Sequence, residues 1–191
     1  MSDQTTYRVG GRAAFHLVAE SLADLEAVAE LMDRTHLPVV VLGRGSNVLF
    51  ADTGYPGLVL QLGEFASVVE IPAVLPETGL VEVRIGASVA LPVAARLTAA
   101  AGLRGFEWAV GVPGSLGGAV RMNAGGHGSD MAHSLRSADV FDLRSGVLRS
   151  MTPSELNLGF RRSALDDAAI VLSVDLELHR GSSAEGMALI D

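Results

Sequence analysis

Apolar positions recur with a helical period between residues 21 and 37. One face of this segment collects Leu22, Leu25, Val28, Ala29 and Met32, which predicts an amphipathic helix with that face buried. Ser21, followed three residues later by Asp24, resembles a capping box and places an acid near the positive end of the helix. Pro38 cannot continue a helix, so the predicted helix ends before it.

Two short apolar runs without this period predict strands. Residues 39–42 read Val-Val-Val-Leu directly after the predicted helix, and a second run occupies residues 57–62. A loop rich in glycine separates the two runs. A strand-rich start followed by helix, strand, loop and strand predicts a small α/β lobe over residues 1–63.

The pattern then changes and predicts a larger α+β lobe over residues 64–180. Residues 80–87 alternate apolar and charged side chains, as a half-buried strand does. Residues 91–102 predict a helix that tolerates Pro92 in its first turn. Further strands are predicted at 137–143, 146–152 and 169–178. The remaining residues, 181–191, are expected to form a poorly ordered tail.

Composition excludes several classes of function. The chain has 191 residues, 49% of them hydrophobic, so it can bury a core as one or two domains. Its net charge of −8 offers no basic surface to nucleic acid or to an anionic membrane. All 14 basic residues are arginine, which excludes P-loop, Schiff-base and general-base lysines. Cysteine is absent and the N-terminus is polar, so we expect a cytoplasmic protein without disulfides.

The first glycine-rich loop, Gly-Arg-Gly-Ser-Asn, directly follows the apolar run 39–42. Its glycines allow backbone N–H groups to approach a ligand closely, and its short polar side chains and one arginine suit a phosphate. The candidate ligand-binding residues are Gly43, Arg44, Gly45, Ser46 and Asn47. Val48 stands where a dinucleotide fingerprint needs its third glycine, so an ordinary turn at the end of a strand is the alternative.

The second glycine-rich stretch, residues 111–128, carries apolar residues that linkers normally lack. We interpret it as a turn leading into a short helix, with Ser115 near the helix N-terminus, where an anion can bind. Its glycines would then leave room for a large ligand, and the alternative is a tightly packed crossing of helix and sheet. The candidate residues are Gly111, Pro113, Gly114, Ser115, Gly117 and Gly118.

A third motif, residues 158–167, places two adjacent arginines in an apolar frame. One of them could be aimed at a carboxylate or phosphate, where a planar guanidinium is most useful. The alternative is a surface loop whose arginines pair with Asp166 or Asp167. Other chemistries are disfavoured, because Pro113 breaks the pattern of a nucleophile elbow around Ser115 and the histidines form no metal-binding pair.

These motifs in this order resemble the UDP-N-acetylenolpyruvoylglucosamine reductases (the MurB family) of bacterial peptidoglycan synthesis. The resemblance covers nearly the whole chain. It rests on Thr-Thr-Tyr-Arg-Val-Gly-Gly at 5–11, the first loop at 43–47, the stretch 105–128 and Leu-Gly-Phe-Arg-Arg-Ser at 158–163. The stretch 105–128 is the most specific of these elements.

The resemblance implies a two-lobed α+β unit of the vanillyl-alcohol-oxidase (PCMH) type, with the diphosphate of FAD between the lobes. It adds Asn123 and Gly125 to the cofactor-binding residues named above. In the family NADPH reduces the flavin, which reduces the enolpyruvyl group of a UDP-sugar. Arg161 aligns with the catalytic arginine that helps stabilise negative charge through the substrate carboxylate, and no metal is involved.

Two departures from the family pattern bear on activity. Phe160 stands where the family motif has a tyrosine, which removes a hydroxyl group. Nothing after Arg180 resembles the substrate-binding domain that supplies the family's serine proton donor and a glutamate. The sequence therefore predicts the FAD-binding portion of such a reductase. The alternative is an FAD-binding module without reductase activity that needs a partner or a missing domain.

Overall fold

The computed structural model describes residues 1–76 and 79–190. Three short 3-10 helices lie at Ser2–Gln4, Glu64–Ala66 and Glu107–Gly111. The α-helices are α1 (Leu22–Thr35), α2 (Leu91–Ala100), α3 (Leu116–Met122), α4 (Met131–Ser134), α5 (Pro153–Leu156) and α6 (Ser183–Ile190). The strands are β1 (Ala13–Ala19), β2 (Val39–Val41), β3 (Tyr55–Leu62), β4 (Val69–Glu70), β5 (Leu80–Gly86), β6 (Leu103–Arg104), β7 (Gly125–Gly126), β8 (Ser129–Asp130), β9 (Leu135–Asp142), β10 (Val147–Met151) and β11 (Ala169–Arg180).

The first lobe is a parallel sheet in the order β1-β3-β2, with α1 connecting β1 to β2. The central strand β3 begins at Tyr55, two residues before the predicted start, although its second residue is Pro56. A proline fits there because the pairing with β1 is irregular near Ala13, where the missing N–H is not needed. The first loop leaves the carboxyl end of β2, which is where ligands bind in parallel sheets.

Helix α1 begins and ends close to the predicted positions. The Asp24 N–H donates to the Ser21 hydroxyl at 3.3 Å, as expected of an N-cap. The Asp24 carboxylate reaches the N–H of Glu20 instead of that of Ser21, so the reciprocal bond is shifted by one residue. His36 closes the helix in the left-handed conformation just before Pro38.

The second lobe is built on an antiparallel sheet in the order β10-β9-β11-β5-β4. Helices α2 and α3 and the residues around Trp108 cover one face of this sheet and form the largest apolar core. A second core joins the two lobes, because α1 and the first sheet pack against Phe141, Leu143 and Ile170. The lobes are thereby packed directly together.

The segment after β11 is helical where the sequence analysis expected a poorly ordered tail. The Ser182 hydroxyl accepts the Glu185 N–H, and the Ser182 carbonyl accepts the Gly186 N–H. These two bonds start α6. Gly186 lies against α2, since a Cβ there would be 3.3 Å from that of Ala99. The tail therefore orders by docking on α2. Asp191, the last residue of that prediction, lies outside the described residues.

Candidate functional site

A cleft of about 1200 Å³ lies between the two lobes. It exceeds the roughly 300–1000 Å³ that is typical of small-molecule sites, so it can hold a long ligand. The first loop and β3 line it from the first lobe, and α3 with its flanking loops lines it from the second. The turn that carries Arg161 completes the wall.

The cleft brings together nearly all of the candidate residues. Those that line it are Gly43, Arg44, Gly45, Ser46, Asn47, Pro113, Gly114, Ser115, Gly117, Gly118, Asn123, Gly125 and Arg161. Gly111 is the exception among the predicted cofactor residues. It ends the 3-10 helix Glu107–Gly111, and a Cβ there would lie 3.1 Å from Nε2 of His127. Gly111 therefore packs against the β7–β8 hairpin and does not reach the cleft.

The first loop lines the cleft and carries a run of hydrogen-bond donors without acceptors in the described part of the protein. Within the described residues, none of the N–H groups of residues 43–47 donates to another protein group. Two of its carbonyl groups, in contrast, accept hydrogen bonds from other parts of the protein. The Thr6 N–H donates to the Gly45 carbonyl at 3.0 Å, and the Gln61 amide donates to that of Gly43 at 3.3 Å. The N-terminal segment and β3 thus hold the loop through its carbonyl groups and leave its N–H groups without a protein acceptor in residues 1–76 and 79–190.

The two glycine-rich loops, which both line the cleft, touch one another. The Ser46 hydroxyl donates to the Pro113 carbonyl at 3.2 Å, which is a direct bond between the lobes. A Cβ on Gly43 would overlap the Ser115 hydroxyl. A Cβ on Gly114 would lie 3.0 Å from the Ser46 hydroxyl oxygen. These glycines are therefore needed for the approach of one loop to the other, before any ligand is considered.

The N-terminus of α3 has fewer free donors than the predicted anion site would need on its own. Ser115 is its N-cap, as predicted, and accepts the Gly118 N–H at 3.4 Å. The N–H groups of Leu116 and Gly117, however, donate to carbonyls of residues 89 and 87, both at 2.9 Å. The donors of the helix start are therefore already engaged. Among the described residues, the N–H groups of Gly114 and Ser115, like those of the first loop, donate to no protein group and stay available to an anion.

The alternative interpretation of the second loop, a tight crossing of helix and sheet, holds for Gly117. A Cβ there would lie 3.0 Å from that of Ala87 and 3.5 Å from that of Val171. Gly118 has more room, since its Cβ would meet the Ser115 hydroxyl at an ordinary 3.4 Å. Packing therefore explains the glycine at position 117. It does not explain the glycine at position 118.

Asn123 and Gly125 shape the far side of the cleft. Asn123 ends α3 in the left-handed conformation. Its side-chain N–H donates to the Asp130 carboxylate at 3.1 Å, and its side-chain oxygen accepts the Ala132 N–H at 3.0 Å. Gly125 pairs with Asp130 in the β7–β8 hairpin, where a Cβ would lie 2.7 Å from the Ser129 carbonyl. Both residues hold the hairpin in place at the edge of the cleft.

Arg161 sits at the tip of a tight turn. Gly159 and Arg162 exchange two backbone hydrogen bonds, at 3.0 and 3.1 Å, and Arg161 adopts a left-handed φ of 54°. Phe160, the other tip residue, is 93% exposed and also lines the cleft. The Arg162 side chain folds back over Gly159, whereas Arg161 faces the cleft. The structure thus separates the two arginines that the sequence left adjacent.

The two aspartates after this turn do not pair with it, contrary to the alternative interpretation of the motif. Asp166 pairs with Arg144, and Asp167 pairs with Arg121 at 2.7 Å. The Arg144 hydrogen bond outweighs partial burial and holds the pKa of Asp166 below its usual value. Asp166, Asp167 and Arg121 all line the cleft, and sequence reasoning missed Arg121 because nothing local marks its distant partners.

Other chemical centres find no support in the described residues. Burial tends to raise the pKa of Glu107, but backbone N–H groups and Arg104 outweigh it and leave the pKa lowered. Arg104 and these backbone N–H groups therefore favour the charged form of Glu107. Within residues 1–76 and 79–190, no cluster of three or more acidic or histidine side chains could hold a metal ion. The helices of that same part lack the length and apolar character needed to cross a bilayer.

The two-lobed fold is that of the VAO-type flavoproteins, which confirms the predicted fold class. A VAO-type flavoprotein from Myceliophthora thermophila superposes with a TM-score of 0.69 over 90% of this chain and 32% of its own, at 18% identity. The particular family follows from the sequence. A family model described as "FAD binding domain" matches residues 13–152, and the chain belongs to that family.

More similar proteins are named reductases of the kind that the motifs resemble. UDP-N-acetylenolpyruvoylglucosamine reductase from Synechococcus sp. (strain RCC307) is 41% identical over 95% of this chain and 58% of its own length. The crystal structure of the reductase MurB from Thermus caldophilus superposes with a TM-score of 0.80, at 35% identity, over 99% of this chain and 64% of its own. The chain thus spans under two thirds of these relatives.

Proposed function

We propose that the interlobe cleft binds FAD with its diphosphate against the first loop. The observation that carries this proposal is the run of N–H groups at residues 43–47, which donate to no protein group in the part of the chain that the structure describes and belong to a loop that lines a cleft of about 1200 Å³. Arg44 adds a positive charge beside them, and consecutive N–H donors of this kind form anion-binding concavities. The match to the FAD-binding-domain family supports the same ligand.

The residues present fit such a cofactor. The N–H groups of the first loop have no protein acceptor among the described residues, and a Cβ on Gly118 would meet the Ser115 hydroxyl only at an ordinary 3.4 Å, which leaves room on the cleft side of α3. Bound FAD would supply hydride chemistry, which no side chain of this chain can supply itself. The protein would contribute binding, orientation and electrostatics. Arg161 would contribute a fixed positive charge where a substrate carboxylate gains electron density.

As the reaction, we propose NADPH-dependent reduction of UDP-N-acetylglucosamine enolpyruvate to UDP-N-acetylmuramate in the cytoplasm. The names of the relatives support the substrate. The choice of NADPH, the role in peptidoglycan synthesis and the site of action belong to the same proposal. The relatives are longer than the aligned region, and we expect the proton donor in the part that this chain does not span. A general acid typically contributes about 10²–10⁴-fold in rate.

The experiment is NADPH oxidation by FAD-loaded protein with and without the enolpyruvyl substrate. We expect residues 1–191 to hold FAD and to show no substrate-dependent oxidation of NADPH. Turnover within about tenfold of a full-length relative would contradict this expectation. Such a rate would mean that a residue of this chain acts as the general acid. Flavin binding without turnover, even after a full-length relative's remaining domain is joined to the chain, would favour an FAD-binding module that is not a reductase.

Arg161 and Arg162 provide matched variants for the assay in a reductase-competent form. Arg161→Lys should reduce turnover while flavin content stays unchanged, because lysine cannot offer two parallel donors to a carboxylate. Arg162→Lys should be nearly neutral, since that side chain folds over Gly159 and does not line the cleft. A larger effect at Arg162 than at Arg161 would refute the assignment of Arg161.

A further inference from the structure

Arg121 bridges helix α3 to the segment that follows the Arg161 turn. One of its terminal nitrogens, Nη1, donates to the carbonyl oxygen of Leu165 at 2.6 Å and also to that of Asp166. The other, Nη2, donates to the Asp167 carboxylate at 2.7 Å. A single side chain on the helix that lines the cleft therefore holds three consecutive residues of the opposite segment.

A second bond runs in the reverse direction. The Ser163 hydroxyl donates to the Arg121 carbonyl at 2.7 Å and accepts the Leu165 N–H at 3.3 Å. Ser163 lies two positions after Arg161, so this bond fixes the chain immediately beyond the turn. Together, Arg121 and Ser163 form a reciprocal connection between α3 and the turn, which we call the Arg121 bridge.

The turn is also held where the chain enters and leaves it, because Leu158 and Leu165 pack in the main apolar core and the Ala164 N–H donates to the Leu156 carbonyl at 2.7 Å. Its two backbone bonds join Gly159 and Arg162 to one another and do not attach the turn to the rest of the protein. Phe160 at the tip is almost wholly exposed. Among the described residues, the Arg121 bridge supplies the hydrogen bonds that join the turn directly to α3.

We propose that Arg121 is the positioning residue for Arg161, because it fixes the arginine turn relative to the helix that lines the cofactor cleft. This proposal rests on the proposed function of the cleft, in which Arg161 meets the substrate. The bonds to the two carbonyls carry the effect, since Asp167 is 87% exposed and water screens its ion pair. Lysine cannot reach several acceptors as the planar guanidinium does.

The test places a fluorescent reporter on the turn and measures its local motion. Phe160→Trp adds an indole at a fully exposed tip, and the protein without this change gives the background from buried Trp108. In the reporter protein we compare Arg121→Met, Arg121→Lys, Asp167→Asn and Arg136→Met by time-resolved anisotropy. Arg136 is the matched control. It also forms ion pairs, with Glu82 and Glu177, but it does not line the cleft.

Both Arg121 variants should add a fast local component to the decay of the reporter's anisotropy, while Asp167→Asn and Arg136→Met leave the decay unchanged. Should Arg121→Met fail to fold, Arg121→Lys carries the test. A lower melting temperature with unchanged anisotropy would overturn the proposal, because Arg121 would then stabilise the fold without positioning the turn. An effect of Asp167→Asn as large as that of Arg121→Met would also overturn it.

The same measurement is made with and without added FAD, and FAD affinity is titrated for each variant. Failure of the wild-type protein to bind FAD would contradict the proposed function and would leave the anisotropy comparison intact. The two proposals therefore fail by different results.

Discussion

Replacing Gly43 by alanine tests whether the two glycine-rich loops must touch. The new Cβ would overlap the Ser115 hydroxyl and lie 3.3 Å from the Ser115 Cβ. Gly43 is not among the described residues with positive φ, so space alone opposes the alanine. Ser115 is buried and caps α3, which leaves its hydroxyl little freedom to move.

The expected cost follows from the two ways of relieving this overlap. Rotation of the Ser115 hydroxyl would sacrifice the N-cap, at about 0.5–2 kcal/mol. Separation of the loops would resemble overpacking, at about 1–3 kcal/mol. Gly43→Ala should therefore lower the free energy of unfolding by about 1–2 kcal/mol in either case. It should also weaken FAD binding, because the donors of the first loop move with Gly43.

Ser115→Ala removes the hydroxyl and so isolates the overlap. Alone it should cost about 1 kcal/mol as a lost cap. In the double variant only the 3.3 Å contact between Cβ atoms remains. The combined cost should therefore fall below the sum of the single costs by about 1 kcal/mol, as expected of residues in contact.

The assay is urea unfolding of the wild type, both single variants and the double variant, with FAD titration of each. Gly118→Ala is the control, because its Cβ would meet the same hydroxyl at an ordinary 3.4 Å. Additive single costs, or a neutral Gly43→Ala, would refute the conclusion that direct contact of the loops requires Gly43.

Gly118→Ala itself should raise the stability of α3 by up to about 1 kcal/mol, because alanine favours a helix. It should nevertheless weaken FAD binding, because the added methyl group fills part of the cleft. Unchanged FAD affinity would place the ligand elsewhere. Glu107→Gln should lower the free energy of unfolding at neutral pH, since Arg104 and the Gly105 N–H, at 2.7 Å, stabilise the charged carboxylate. The lowered pKa of Glu107 means that this contribution is present above 4.5, its usual value, and is lost as pH falls through the lowered pKa. Urea unfolding of both proteins across that range measures the difference, and a constant deficit would contradict the assignment.

Elements with a strong local signal were predictable from the sequence. The period of 21–37 and the Ser21 cap gave α1 nearly to its ends, because local propensity and burial agree there. The segment 183–190 lacks a clear apolar period, and its helix depends on docking against α2. That contact joins residues far apart in sequence, so a local pattern could not reveal it.

The candidate site was predictable as a set of residues and less so in its physical detail. Glycine spacing and the family resemblance placed most of the cleft residues. Which glycines serve packing could not be read from spacing, because Gly117 depends on Ala87 and Val171 from other elements. The engaged donors of α3 also depend on carbonyls of a distant turn. The bonds of Arg121 to residues 165–167 belong to the same class of long-range contact.

Titration of purified, flavin-free protein with FAD and with FMN tests the central claim most directly. A cleft of about 1200 Å³, lined by the donors of the first loop, should bind FAD more tightly than FMN, because FMN lacks the adenylate half. Equal affinity for the two flavins would contradict a dinucleotide cradle between the lobes. Absence of binding to either flavin would contradict the assignment of the cleft as a flavin site.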